Sequence, residues 1–513
     1  MKKVTLRLIL GDQLNASHSW FSKTDQDVVY LMAEMRQETD YVVHHIQKVV
    51  GYFSAMRNFA ETLKREGHKI TYLTLDHESC HQTLSFIIEE QLAIHKAQLF
   101  EYMEPDEYRL DKQLKEICQR LLLPTKCYDT EHFYTSKNTL KDFFTGKKQY
   151  VMEPFYRMMR KKHRVLMEGD KPLGDKWNFD QENRNKWKGQ PAIPAPIKLS
   201  NNVSEVYALV RKHHIKTIGQ INDNYFEWPI SHEQSEQLLE NFCTYLLKDF
   251  GNYQDAMHTQ EKFLFHSRIS FALNTKMISP QRVINKVIET YENQIFPEVS
   301  LNQVEGFVRQ ILGWREYMRG IYWMEMPSYG EKNSLKNNNK LPDFYWTANT
   351  KMNCLHHAIK QSLETSYAHH IQRLMVTGNY ALLTQTNPDF VDQWYLGVYI
   401  DAIEWVEMPN TRGMSQWADG GIVATKPYVS SGNYIQKMSN YCESCQYNYK
   451  EKTGESACPF NSLYWNFLDE KKAYFKNNHR MSMMLSLLNK MDTQQLIDIK
   501  KRAQHIIANP DLY

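Results

Sequence analysis

The chain has little of what would mark a membrane, secreted or standard dinucleotide-binding protein. Its 513 residues contain no run of 18 apolar residues, the minimum for a spanning helix. The basic start MKKVTLRLILGDQ carries an apolar run too short for a signal peptide and leads into a polar turn, so a cytoplasmic protein is expected. Charge is nearly balanced: a net +3 and a pI near 8.2 neither demand nor exclude a nucleic-acid partner. Eight cysteines in a reducing compartment argue against a disulfide framework and leave metal binding or plain burial. No GxGxxG follows the first apolar run, so the usual dinucleotide fingerprint is missing. No internal repeat is found.

What is present begins with aromatics, 11 Trp and 31 Tyr, which suit a flat ligand or stacked bases as well as a large helical core. The length predicts two or more domains. Over residues 1–135 the runs VTLRLILG, DVVYLMAE, KITYLTL, AQLFEYMEP and TKCYDT read as strands, and the segments between them as helices. That alternation predicts a doubly wound parallel α/β domain. Ligands of such sheets sit outside the carboxyl ends of the strands, which nominates Asp12, Gln13, Glu34 and Glu38. Residues 136–202 lose regularity and read as an interdomain connection. There FYRMMRKKHRVLMEGDKP and KWNFDQENRNKWKG interleave basic and aromatic residues, as a nucleic-acid contact would. A solvated charged face is the commoner origin of such a run. Arg157, Arg160, Lys161 and Lys162 are the candidates for DNA backbone contacts. From 203 to 513 nearly everything reads as helix.

Within that helical part, YAHHIQRLMVTGNYALL from Tyr367 and DQWYLGVYIDAIEWVEMPN ending at Asn410 are mostly apolar, yet they carry His369, His370, Arg373, Asn379, Asp401, Glu404 and Glu407. Ionisable groups in apolar segments are costly unless paired. They predict a pocket for a polar, aromatic ligand, the other reading being an ordinary core with satisfied polar groups. Four cysteines form a second constellation: Cys442 and Cys445 in a CxxC, Cys458 before a proline, and the remote Cys354. Four thiolates suit an iron–sulfur cluster, and zinc would accept the same set.

The strings GDQL, QDAM, RQILGWREYMRGIYW, AHHIQRLMVTGN, DAIEWVEMPN, GMSQWADGG, KPYVSSGNYI and CPFNSLYW resemble the iron–sulfur bacterial cryptochromes and photolyases, and among them the prokaryotic (6-4) photolyases, over nearly the whole length. The resemblance implies the photolyase/cryptochrome fold, an α/β antenna domain followed by an all-α domain that holds FAD. It implies light-dependent repair of (6-4) photoproducts in UV-damaged DNA by a monomer. Cys354, Cys442, Cys445 and Cys458 match ligands of a [4Fe-4S] cluster, and Trp394, Trp346 and Tyr395 match an electron-transfer chain. Ser267, Ser270, Gln310, Arg315, Arg373, Asn379, Asp401, Glu407 and Asn410 fall at flavin positions, Glu407 beside N5. Asp12, Glu38 and Tyr41 match the surroundings of a 6,7-dimethyl-8-ribityllumazine antenna. His369 and His370 match lesion-side histidines, with Tyr428 and Tyr434 nearby. Asp180 and Asp255 match carboxylates near the lesion, Asp180 being associated with a divalent cation, which points to Mg2+.

One departure is Leu374, where the eukaryotic enzymes carry a second histidine. Neighbouring helical positions face different ways, so one of His369 and His370 touches substrate, and His370 is the choice. Histidine is expected to be the pocket group titrating nearest neutrality. The rival activities are a cyclobutane-dimer photolyase and a cryptochrome-like blue-light sensor; the chain ends soon after a helix, at HIIANPDLY, without the long tail a sensor often carries.

Overall fold

A computed structural model describes residues 3–293 and 298–513. Five short apolar runs form strands β1 (Thr5–Leu8), β2 (Val28–Ala33), β3 (Lys69–Leu73), β4 (Leu99–Met103) and β5 (Thr125–Tyr128). They pair in parallel in the order β3-β2-β1-β4-β5. The chain therefore reverses direction of winding at β1 and β4, which leaves a crevice at their carboxyl ends.

Three helices cover the sheet. Helix α1 (Ile46–Arg65) starts where His45 accepts the Gln47 N–H and stops before Gly67, whose φ of +91° few other residues would adopt. Helix α2 (Leu84–Ile94) starts four residues later than the apolar pattern suggests, because the Thr83 side chain caps the Phe86 N–H. Helix α3 (Tyr108–Arg120) follows β4. Side chains alternate along a strand, so the two faces divide cleanly. Leu6, Leu8, Val29 and Leu31 pack with Ile87, Ile88, Leu114 and Ile117 of α2 and α3. Val28, Tyr30 and Met32 pack with Val50, Phe53 and Met56 of α1, in a core that continues without a break into the helical body.

Residues 136–202 are more regular than their composition suggests. They include Thr139–Phe144 and α4 (Met152–His163). Met152, Phe155, Tyr156, Met159 and Arg160 form the buried stripe of α4 at helical spacing, laid against the segment Arg309–Arg315. Arg160 is 1% exposed and donates to the carbonyls of Val165, Leu166 and Trp177. It is therefore removed from the candidate phosphate contacts, whereas Arg157, Lys161 and Lys162 frame a surface recess.

The helical body contains wide π-helical turns at Phe242–Leu246, Arg309–Arg315, Gln372–Gly378 and Pro409–Ser415. Such turns collect at functional sites, and three of these four carry expected flavin residues. Two of them meet at Gly378. A Cβ there would overlap the Ser415 hydroxyl and lie 2.6 Å from the Arg373 carbonyl oxygen, so only glycine permits the approach.

Candidate active site

The wide turn Gln372–Gly378 and the residues just before it turn the two histidines apart. His369 is buried and stacked on His266, with ring centres 4.6 Å apart. Neither of its ring nitrogens has a partner, and burial, with His266 beside it, holds its pKa well below the usual value. His370 is exposed, and desolvation by the surrounding protein, then Arg373, lowers its pKa to about 4. One turn on, Arg373 grips Asp401 through two bonds of 3.0 and 3.2 Å. It also donates to the Ala368 carbonyl at 2.6 Å and lies 3.8 Å from the Tyr399 ring centre.

The deeper groups leave hydrogen-bonding capacity open. Arg315 lies between the rings of Phe133 and Trp405 and donates through Nη2 to His132 and the Leu273 carbonyl. Its Nε and Nη1 are buried without a hydrogen-bond partner among the described residues, Nη1 lying 3.8 Å from Glu316, and burial brings its pKa down to about 10. Glu407 has one buried oxygen without a hydrogen-bond partner among the described residues; burial, then Asp392, raises its pKa well above the ordinary range, which favours the protonated acid. Cationic and acidic donors without hydrogen-bond partners fit an anionic, heteroatom-rich group such as a flavin dinucleotide. Asn379 is less free, because its amide bonds Ser430 on both sides, at 2.9 and 3.1 Å. Gln310 and Asn410 donate to their own helical turns. Ser267 and Ser270 are half-buried, Ser270 opening the helix Ser270–Asn274.

Trp394 is fully buried; its indole N–H donates to the Tyr345 carbonyl at 3.0 Å. Its ring neighbours are Tyr345, Tyr395 and Tyr399, 5.2–5.8 Å away. Trp346, next to Tyr345 on the helix Phe344–Thr347, is 43% exposed. Tyr395 lies on the inner side, its hydroxyl 2.6 Å from both Thr377 Oγ1 and the Arg373 carbonyl.

Asp180, Asp255, Tyr428 and Tyr434 lie close enough to act on one another's titration. Arg184 donates to Asp180. Burial and then the Asp180 charge push the Asp255 pKa up to about 6, and Asp255 in turn raises Tyr434. Among the lesion-side groups Asp255, at about 6, lies nearer neutrality than His370, at about 4, where a histidine was expected to be nearest. Among the described residues no three acidic, His or Cys side chains stand at single-ion spacing, so Asp180 and Asp255 alone make no closed cage for Mg2+.

At the crevice above β1 and β4 lies a cavity of about 150 Å³, lined by Asp12, Glu38, Tyr41, His44, Lys48 and Glu107 among others. Arg109 pairs with Glu38 at 2.7 Å and covers Tyr41. Asp12 pairs with Lys276 of the helical body at 2.8 Å, and Lys276 also reaches Asp106. The two other strand-end nominees are structural. Glu34 is fully buried, bonded to Arg57, Tyr72 and the Leu75 N–H, and Gln13 accepts from the Leu10 N–H and donates to the Met103 and Glu104 carbonyls.

Over 520 aligned residues, 99% of this chain and 99% of the relative, the sequence is 40% identical to a (6-4) photolyase of Agrobacterium fabrum. The chain belongs to the (6-4) photolyase family. A family model described as deoxyribodipyrimidine photo-lyase-related protein matches residues 7–226. An uncharacterized protein of Acanthamoeba polyphaga mimivirus is 31% identical over 107 residues, 21% of this chain and 80% of its own. Two solved structures share the fold at low identity. A bacterial class III photolyase from Agrobacterium tumefaciens has a TM-score of 0.56 at 13% identity, covering 96% of this chain and 99% of its own. A Synechocystis cryptochrome has a TM-score of 0.55 at 12% identity, covering 96% and 100%.

The four cysteines singled out from this photolyase sequence converge on one enclosed hole beside Ile435 and Phe460. Burial and then the other three thiols raise the Cys354 pKa well above its usual value, and burial lifts Cys442 and Cys458 to about 12. All four line the same hole, a donor set that fits either an iron–sulfur cluster or zinc. Four participants were not read from the sequence: His266, Tyr345, His44 and Arg184. His266 alone had a usable signal, in the string FHSRIS that also carries Ser267 and Ser270.

Proposed function

We propose that this protein repairs (6-4) pyrimidine–pyrimidone photoproducts in UV-damaged DNA, driven by blue light through FAD held in the helical body. The reading rests on 40% identity over the full length to a (6-4) photolyase, joined to an exposed imidazole, His370, two residues before the wide turn that bears Arg373. When bound, reduced and photoexcited FAD would supply the one electron that the lesion needs. Arg315, with two donors lacking hydrogen-bond partners among the described residues, and Arg373, oriented by Asp401, bind and place the cofactor. Glu407 holds a proton at the flavin side. Trp394 is the inner relay for photoreduction, with Tyr395 beside it and Trp346 at the surface.

His370 donates the proton that helps return the hydroxyl. At a pKa of about 4 it is neutral in the resting protein, and incoming phosphates favour its charged form. The lesion leaves the base stack, at lower cost than a normal base, toward Asp180, Asp255, Tyr428 and Tyr434. A divalent cation arriving with the DNA phosphates, which would complete its oxygen ligands, would offset the repulsion between Asp180, Asp255 and the backbone.

Cys354, Cys442, Cys445 and Cys458 hold a [4Fe-4S] cluster whose first role is to secure the surrounding helices. The cavity around Asp12, Glu38 and Tyr41 takes 6,7-dimethyl-8-ribityllumazine as an antenna. The protein acts in the cytoplasm as a monomer. A cyclobutane-dimer photolyase needs no proton donor, so the accessible His370 favours the (6-4) reading; a light sensor would show no turnover. The test is illumination of the reduced protein with single- and double-stranded oligonucleotides carrying either lesion. Disappearance of (6-4) products is expected. Repair confined to cyclobutane dimers, or no repair of either lesion, overturns the assignment.

A further inference from the structure

Beside Tyr434 a groove of about 410 Å³ runs between Ser430, Ser431 and Asn433 on one side and Lys450, Lys452 and Trp465 on the other. Lys450 lies over the Tyr449 ring at 5.8 Å and Lys452 over Trp465 at 5.4 Å, and neither enters an ion pair among the described residues. The carboxylate between them, Glu451, is taken up by Asn448 and Ser456. The groove thus offers two ammonium groups outside any ion pair among the described residues, two serines, and an indole that Lys452 flanks on one face.

Its walls are held in place from below. Asn461, 3% exposed, donates to the Tyr449 and Glu451 carbonyls at 2.8 and 2.5 Å and accepts the Gly432 N–H at 3.0 Å. Ser462 donates to the Lys452 carbonyl at 2.7 Å. Gly432 backs directly onto the cysteine site, since a Cβ there would lie 3.0 Å from Cys458 Sγ. On the other side, Asn379 fixes Ser430. One chain of contacts therefore joins the expected flavin residue Asn379, the lesion-side Tyr434, the lysine-bearing loop and the cysteines.

We propose that this groove takes the backbone phosphates and one unpaired base of the lesion-bearing strand, next to the extruded lesion. The loop between Cys445 and Cys458 is then a DNA-gripping element, and the cluster fixes the shape of that grip. Two ammonium groups neutralise phosphates, and a lone indole stacks a base whatever its identity. The assignment rests on the DNA-repair reading above.

The experiment uses the holoenzyme and fluorescence anisotropy with a single-stranded oligonucleotide bearing a (6-4) lesion, titrated between roughly 50 and 200 mM salt. In the double variant Lys450→Ala/Lys452→Ala, the slope of log affinity against log salt falls by about 1.4, two phosphates at about 0.7 each on single strands. Trp465→Ala weakens binding by about 5- to 150-fold, and Trp465→Phe recovers most of it. Flavin and cluster absorbance, and photoreduction without DNA, stay at wild-type levels in all three. A double variant that keeps both chromophores and an unchanged salt slope overturns the proposal. So does a Trp465→Ala variant that binds like wild type. If instead the wild-type protein repairs no lesion in light yet shows the lysine-dependent slope, the repair reading fails and the groove assignment stands.

Discussion

Changing Asp401 to Asn keeps the volume of the side chain and removes one charge from the Arg373 pair. The two bonds are 3.0 and 3.2 Å long, and the side chains are 20% and 11% exposed. At an effective dielectric near 20, unit charges at that spacing attract by roughly 5 kcal/mol. Losing one partner of a buried pair costs about 3–5 kcal/mol, since the other charge stays buried. Arg373 keeps the Ala368 carbonyl and the Tyr399 ring and some access to water, which brings the expected loss to about 3 kcal/mol, the low end of that range. Asn274 bonds only the Asp401 backbone carbonyl and is untouched. Asp401→Asn is therefore expected to fold, with a lowered urea midpoint, and to release flavin on dilution with an affinity down about 100-fold. The double variant Arg373→Met/Asp401→Leu removes both charges; it recovers most of the midpoint but not the flavin. Flavin fluorescence on dilution and urea titration read the two effects separately. A single variant matching wild type in both measurements refutes the reasoning.

Cys445→Ala loses the visible absorbance, iron and labile sulfide expected near four per chain in wild type, and much of its solubility; zinc in a colourless wild-type centre would refute the cluster. Trp394→Phe keeps FAD and slows photoreduction strongly in a light-pulse assay, and an unchanged rate would leave Trp394 as packing. His370→Ala photoreduces and binds damaged DNA but repairs (6-4) lesions at least about 100-fold more slowly; near-normal repair in it beside an inactive His369→Ala would reverse the choice within the pair. Asp255 is held to about 6 by burial and Asp180, so it gains a negative charge as pH rises through that value and repels phosphates. Lesion-DNA affinity therefore rises as pH falls from 7 to 5 in wild type and loses this dependence in Asp255→Asn; identical profiles by anisotropy would refute it.

The sheet was legible because short apolar runs alternate with helical segments over the first 135 residues, the pattern of a parallel α/β sheet buried on both faces. The strand-end rule found the cavity but chose among side chains poorly. It locates where a strand stops, not where the next side chain points, so Asp12 and Glu38 line the cavity while Glu34 turns under Leu75. The FYRMMRKKH run misled because basic residues were counted as surface. Its buried stripe includes Arg160, whose guanidinium is satisfied by three carbonyls that no local pattern announces. Helical geometry turns His369 inward and leaves His370 exposed, as neighbouring positions on a helix require. Their pKa values were out of reach, since they depend on His266 and on protein mass contributed by distant segments.

The sheet domain is a unit of sequence without being a unit of unfolding. Val28, Tyr30 and Met32 share their core with the helical body, Lys48 donates at 2.7 Å to both the Leu396 and Ala402 carbonyls, and Lys276 bonds Asp12 and Asp106 across the junction. A fragment ending near residue 135 would expose that apolar face and strand a buried lysine and two aspartates without their partners. The whole chain is expected to melt as one cooperative body, and a chromophore in the sheet crevice would keep a fixed distance and angle to the flavin until everything gives way together.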